Sequence, residues 1–590
     1  MTVQKSFNCD PVVLAILQRQ LNHITLQMGT IMTRTARSPI FSQSHDFSCY
    51  LSDRNGSTVA QADGLPIHSG GGGFGVRAVL RDFGGDIHPG DVFLLSDPYE
   101  AGGNHLPDWK MVEPVFVNGT HVGFSSNLAH QSDIGGGAAG TYNTSATEIF
   151  HEGIRLPVLR LIEKGKRRDD LWRLLLLNSR TPELMEGDLG AMLGTTRVGA
   201  DRMASVVGDL GLEQGLAYLD ELLNYGDRRM RQALASMPDG VWTGCDVSDT
   251  DCFSRVDVET HVKVTKSGEN ITFDFTGTSP QIRGFKNSSL ANTHSAVYVA
   301  LASFLPEDIP RNEGAFRAVT IVAPEGTTVN ALPPAAMTMN TMFPAQDIMN
   351  ACWEALGKIQ PENACAGWGK SSYPVSSGKK PGGDTFVLYH WHSSQGGGAI
   401  RGRDGFAMIS HQTTLGGLTI PNVEGYEHAY PIQIHRQEMR CDAAGAGEFR
   451  GGPGVDYEVD MLVDVENNSR GEGLNRPSGR GVNGGDWGAK GELAMIDLAT
   501  RKLVDCPQYG LTHVGPSRLS MSSAAGGGWG SPYDRDPEAV LRDVRDGVVS
   551  LKAARDIYGV DISSDGKTVV SLSARDNKAQ GRAPSKTQGA

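Results

Sequence analysis

His105 and Asp108 stand three residues apart in Gly102-Gly103-Asn104-His105-Leu106-Pro107-Asp108, where paired glycines and a proline exclude a regular helix or a central strand. A rigid loop is expected there. Val112 to Phe116 and Val122 to Phe124 read as two strands around an Asn118-Gly119 turn, so the chain reverses and carries His130 back towards His105. Imidazole nitrogen and carboxylate oxygen together suit zinc, manganese or iron, and three protein ligands leave positions open for water or substrate, as catalytic sites do. H-x2-D is a short motif, and its spacing is equally compatible with ordinary loop histidines.

Other residues carry weaker chemical signals. Glu148 and Glu152 are four apart, so on a helix they would share a face and could line a pocket as acid and base; solvated surface charge is the competing reading. Gly70 to Gly73 could cradle an anion with bare backbone amides, but the run lacks a P-loop ending, and close packing against Val76 to Phe83 is the default reading. His390 and His392 alternate with aromatics in a strand-like run that would set both on one face, as a second metal site would need; without a carboxylate at clear spacing the run reads as a packed or interface strand. Asn287, in the polar segment Gly284 to Ser295, is a candidate substrate contact or a helix-capping neighbour. Arg450, between Phe449 and two glycines, could meet an anion or a partner subunit, with surface ion pairing as the default.

The elements that must position these residues can be read in order. Asp10-Pro11 starts a helix whose apolar positions Val13, Ile16, Leu17, Leu21, Ile24, Met28, Ile31 and Met32 approximate one face. Phe47 to Leu51 and Thr58 to Ala60 form a hairpin around Asn55-Gly56. Residues 168–190 and 197–237 read as helices of an arm or lid ended by Pro238-Asp239-Gly240, after which strands follow from Trp242. Asp536-Pro537 opens the first of two short C-terminal helices. The expected fold class is mixed α/β (α+β) and multi-domain: 1–240 an N-terminal metal-site domain with a helical arm, 241–574 α/β, and 575–590 a disordered polar tail. With 74 glycines in 590 residues, against a typical ~7%, ordered glycine-rich loops are expected between the elements.

A net charge of −13 without a basic block argues against nucleic acid and against an anionic membrane surface, leaving small molecules and proteins as partners. Eight cysteines without a C-x-x-C pair fit reduced cytoplasmic thiols. No basic flank precedes an apolar N-terminal core and no run of about 20 apolar residues occurs, so a cytoplasmic location is expected.

The segments SDPYEAGGNHLPD, LAHQSDIGG, ATEIFHEGIRLP and EFRGGPGVDYE, with the C-terminal stretch Gly526 to Val560, together resemble the hydantoinase B/oxoprolinase family and the similar acetone and acetophenone carboxylases. The resemblance implies a divalent metal (zinc or manganese, or iron) held by Asp46 of Ser44-His45-Asp46-Phe47-Ser48 with His105, Asp108 and His130. It places ATP and magnesium on a separate hydantoinase A-type subunit in a hetero-oligomer such as (αβ)2, consistent with the lack of a P-loop here. Ser96 and Asn104 stand where the family more often shows Asn and Thr, which makes Asn104 a candidate substrate contact. The implied activity is ATP-dependent hydrolysis of a cyclic amide: a lactam, hydantoin or 5-oxoproline. A ketone carboxylase using bicarbonate and a non-catalytic metal-stabilised scaffold are the alternatives.

Overall fold

A computed structural model of the chain describes residues 9–61, 64–370, 372–572 and 575. The Asp10 carboxylate accepts the Val12 N–H at 2.8 Å and Pro11 opens the helix Pro11–Thr35, as the sequence predicts. Leu14, Leu17, Leu21, Ile24, Met28 and Met32 are buried at helical spacing, while Ile16 faces outward. This helix lies across β1 (Phe47–Asp53) and against the helix Pro182–Leu210.

Seven strands build the sheet that carries the site: β1, β2 (Thr58–Gln61), β3 (Val92–Leu95), β4 (Asp108–Val117), β5 (Thr120–His130), β6 (Leu159–Glu163) and β7 (Lys166–Arg167), in the order β2-β1-β5-β4-β3-β6-β7. Every pairing is antiparallel. Asn118 and Gly119 both have positive φ, 50° and 78°, as a tight hairpin turn needs, and the β4–β5 register sets Asp108 opposite His130. The strands are longer than the sequence suggested, because Asp108 and His130 are themselves their terminal residues.

Where the sequence reads an arm, Pro182–Leu210 packs on β4 and β5 and buries Met185, Leu189, Met192, Met203 and Val207. The glycine run forms the first turn of the helix Gly71–Phe83 instead of an anion loop. A Cβ on Gly70 would lie 2.6 Å from the Ser295 amide nitrogen and one on Gly72 2.7 Å from Thr58 Oγ1, so close packing accounts for the missing side chains.

From Gly240 on, four further sheets follow among the described residues: one of Gly240–Ser248, Val258–Ser267, Asn270–Asp274 and Val319–Val322; one of Val375–Lys379, Thr385–Tyr389, Val465–Ser469 and Gly510–Val514; one of five strands built on Ile432–Met439, Val455–Met461 and Ser517–Ser522; and a two-stranded one of Asp561–Ile562 and Val569–Ser571. The mixed helix-and-sheet class is as expected. A contiguous apolar cluster runs from Leu14 to Met521 and draws residues from both sides of position 240.

The two C-terminal helices, Pro537–Arg545 and Leu551–Asp556, form as read, with Asp536 accepting the Glu538 N–H. Apart from Arg575, the expected tail lies outside the described residues. Among the described residues no helix is long and apolar enough to cross a membrane.

Candidate metal centre

β1, β5 and β4 are neighbours, and their aligned ends bring three of the family-implied residues together. Asp46 immediately precedes β1, and its carbonyl accepts the His130 N–H at 3.1 Å. His45 just before it has a positive φ of 58°, a left-handed turn that bends the chain into the strand. The Gly102–Pro107 loop supplies His105, whose Nε2 lies 2.8 Å from Asp108 Oδ1; His130 Nδ1 lies 3.2 Å from the same oxygen. All three side chains are buried.

A fourth imidazole joins them. His68, at the end of the short 3-10 turn Pro66–His68, points Nε2 to Asp108 Oδ2 at 3.5 Å, while its Nδ1 meets Ser48 Oγ at 3.1 Å. The sequence placed His68 beside the glycine run without assigning it to this cluster. Its signal there was only adjacency to Gly70–Gly73.

The donor set fits a divalent cation. His105 Nδ1 donates to the Thr338 carbonyl at 2.5 Å, which leaves Nε2 as a lone pair turned to the cluster. His105 Nε2, Asp108 Oδ2 and His130 Nε2 are buried without a hydrogen-bond partner. Ligand atoms of His105, Asp108 and His130 all fall within 4.8 Å of one another.

Burial pushes the Asp108 carboxyl upward, but His105, His130 and His68 together outweigh it and hold the group well below the usual range. His105 shows the opposite balance: burial lowers it, and Asp108, the Thr338 carbonyl and Asp46 carry it above the ordinary value. Burial raises Asp46, against the pull of His130, His68 and His105.

Glu148 and Glu152 do not share a helical face. They flank the single turn Ile149–His151, with Glu148 exposed and Glu152 buried. Glu152 Oε1 accepts the Met337 and Thr338 amides at 2.9 and 2.7 Å, so it braces the backbone whose carbonyl orients His105. Asn104 is fully buried beside the site; its carbonyl accepts from Ser289 Oγ and Asn340 Nδ2, and its own Oδ1 has no partner.

The amide of Asn287 is spent on Ile282, Gly284 and Ala336, which makes it a structural clamp. Arg450 binds Asp543 and the Gly451 carbonyl beside a further Arg535–Asp404 pair, and so fastens the first C-terminal helix rather than meeting an anion. His390 and His392 are buried on Ser376 and the Pro421 carbonyl.

Aromatic rings close the other side. Tyr142 stacks on His130 with centroids 5.8 Å apart, and Tyr389 stands edge-on to His130 at 6.2 Å. The loop bearing Tyr142 is held by Asp133, which accepts the Gly135, Gly140 and Arg180 amides.

The family model described as hydantoinase B/oxoprolinase matches residues 10–532. The chain belongs to that family. Caprolactamase subunit beta of Pseudomonas jessenii is 33% identical over 573 residues, covering 95% of this chain and 97% of the relative. The crystal structure of the ATP-dependent caprolactamase from the same organism superposes with a TM-score of 0.90 at 31% identity, over 97% of this chain and 100% of the other.

5-Oxoprolinase 1 of Arabidopsis thaliana is 28% identical over 88% of this chain, which spans 42% of that longer protein. Acetone carboxylase shares the fold, with a TM-score of 0.86 at 19% identity over 97% of this chain and 83% of that one. This hydantoinase B-type chain is thus similar to a named subunit of a multi-subunit enzyme, and the segments that carried the resemblance include the two ends of the hairpin, where Asp108 and His130 stand.

Proposed function

We propose that this chain is the metal-bearing subunit of an ATP-dependent cyclic amide hydrolase, opening a lactam, hydantoin or 5-oxoproline ring while a hydantoinase A-type partner binds ATP and magnesium. The observation that carries the reading is end-to-end similarity to caprolactamase subunit beta together with the buried His105–Asp108–His130 cluster.

An unstrained amide is a poor electrophile, so its oxygen is first made a phosphate ester. Transfer of the γ-phosphoryl group of ATP to the amide oxygen gives ADP and an O-phosphorylated substrate. Water adds to the carbon, the C–N bond breaks with the nitrogen taking a proton, and a second water cleaves the resulting acyl phosphate to carboxylate and phosphate. Asp46, His105, Asp108 and His130 would hold a divalent cation, which would supply Lewis-acid polarisation of the substrate oxygen or a more acidic water.

The chain's own residues set this up. The Thr338 carbonyl fixes the His105 tautomer, Glu152 holds that carbonyl in place, and Asp108 aligns both imidazoles. Tyr142 and Tyr389 exclude bulk water from the imidazole side. Asn104 Oδ1 is a buried acceptor available to a substrate N–H.

The test is product analysis with the complex co-purified with its partner, offered lactams, hydantoins and ketones with ATP and labelled bicarbonate. Ring-opened amino acid without label supports the hydrolase. Label in a ketone-derived acid would replace it with a carboxylase, and full turnover in an Asp108→Ala complex would reduce this chain to a scaffold.

A further inference from the structure

Arg470 follows the strand Val465–Ser469 and is completely buried. Its guanidinium lies flat on Tyr142, with Cζ 3.4 Å from the ring centroid, and Nη1 touches the sulfurs of Met339 and Met342 at 3.3 and 3.5 Å. Nε and Nη2 have no hydrogen-bond partner, and Arg470 forms no ion pair with a described carboxylate. Two other buried cations are handled differently: Lys286 is paired with Glu472 and Lys370 with Asp347.

An always-charged, planar donor fork without a counter-ion is costly inside a protein. Polarisable sulfur and one aromatic face offset that cost only in part. Two unused N–H donors on such a fork match the spacing of two oxygens of a carboxylate or phosphate.

The position gives the fork a purpose. Tyr142 carries Arg470 on its ring and also stacks on His130, so the guanidinium is one aromatic ring from the metal cluster. The neighbouring wall holds further unused polar atoms, Trp391 Nε1 and His411 Nδ1, on rings 5.6 Å apart. Burial first, then the charge of Arg470, presses His411 down to about 3, so it supplies no competing cation.

We infer that Arg470 is the oxyanion-binding residue of this centre, receiving through Nε and Nη2 the phosphoryl or carboxylate oxygens of the substrate while its reacting carbon lies at the His105–Asp108–His130 cluster. The inference deepens the hydrolase reading and rests on it for the identity of the anion, because an O-phosphorylated amide and the acyl phosphate derived from it both carry a phosphoryl group. Binding of an oxyanion is separable from turnover, so the two readings fail independently.

The experiment measures thermal midpoints of the full chain, purified with its metal, in chloride, acetate and phosphate at equal ionic strength, for wild type, Arg470→Met and Arg470→Lys. Wild type is expected to gain ~2 °C or more in phosphate over chloride, and Arg470→Met to gain nothing. Arg470→Lys, which keeps the charge without the fork, is expected to retain a smaller gain and decides the matter should the Met variant not fold. A larger gain in acetate than in phosphate assigns the site to a carboxylate. Equal gains in wild type and both variants, or none in wild type, overturn the inference. Arg470-dependent binding in a complex that opens no cyclic amide would leave the oxyanion site standing and discard the hydrolase.

Discussion

His105 Nδ1 donates to the carbonyl of Thr338, 233 residues later in the chain, across 2.5 Å. That contact ties the metal loop to the methionine-rich segment, and Glu152 fastens the same segment from the other side through the Met337 and Thr338 amides. One carboxylate thus acts on the candidate metal cluster through a backbone carbonyl and an imidazole. Glu152→Ala is expected to weaken metal affinity by ~10–100-fold while the chain still folds, read by titrating metal into the chelator-stripped protein. Unchanged affinity would confine Glu152 to packing.

Glu152 also predicts a pH dependence. Burial, only partly offset by the Met337 and Thr338 amides, lifts its carboxyl from the ordinary 4.5 to about 7. The folded value is raised, so the contribution is fully present below the unfolded value and is lost as pH rises through about 7. Metal-free wild type should therefore lose, relative to Glu152→Gln, on the order of 3 kcal/mol between pH 5 and pH 8. The difference in their thermal midpoints is expected to widen in the variant's favour over that interval; a constant difference would mean the group does not titrate there.

Gly70 packs a backbone against a backbone. A methyl group there would meet the Ser295 nitrogen at 2.6 Å, and the segment cannot shift without moving the helix Leu290–Ala302. Gly70→Ala should destabilise by ~1–3 kcal/mol, seen as a lower thermal midpoint, and Ser295→Ala should not rescue it because the nearest atom is main chain.

Lys286 and Glu472 form a buried ion pair completed by the Thr250 carbonyl, Ser248 Oγ and Tyr509 Oη. Glu472→Ala leaves an uncompensated ammonium and is expected to cost ~3–5 kcal/mol. Tyr509→Phe, which removes one hydrogen bond to the same carboxylate, should cost ~1 kcal/mol. Equal losses in chemical denaturation would show that the pair has no special weight.

Local signals were legible in the sequence where local physics decides. Asn118-Gly119 specified the hairpin that returns His130 to Asp108, and Asp-Pro pairs marked the starts of Pro11–Thr35 and Pro537–Arg545. Asp46 was visible only through family resemblance, because its approach depends on β1 pairing with β5 across some eighty residues.

His68, Tyr142, Thr338 and Arg470 reach the site from four separate segments, and no spacing rule connects them. The helical reading of Glu148 and Glu152 failed because Gly153 and Pro157 allow only one turn there, which puts one carboxylate in solvent and the other in the core. Arg450 lay in a glycine-rich segment that resembled a binding loop, yet its Asp543 partner, ninety-three residues away, belongs to the C-terminal helix.

On the proposed reading, the buried cluster performs chemistry in a cyclic amide hydrolase. Its most direct test is the rate of ring-opened product per complex, with metal content measured on the same samples, for wild type and His105→Ala co-purified with the ATP-binding partner. Wild type is expected to carry about one metal per chain, and the variant to assemble but lose the metal and at least ~100-fold of ring opening. A variant complex that lacks the metal and still opens the ring at the wild-type rate would contradict it.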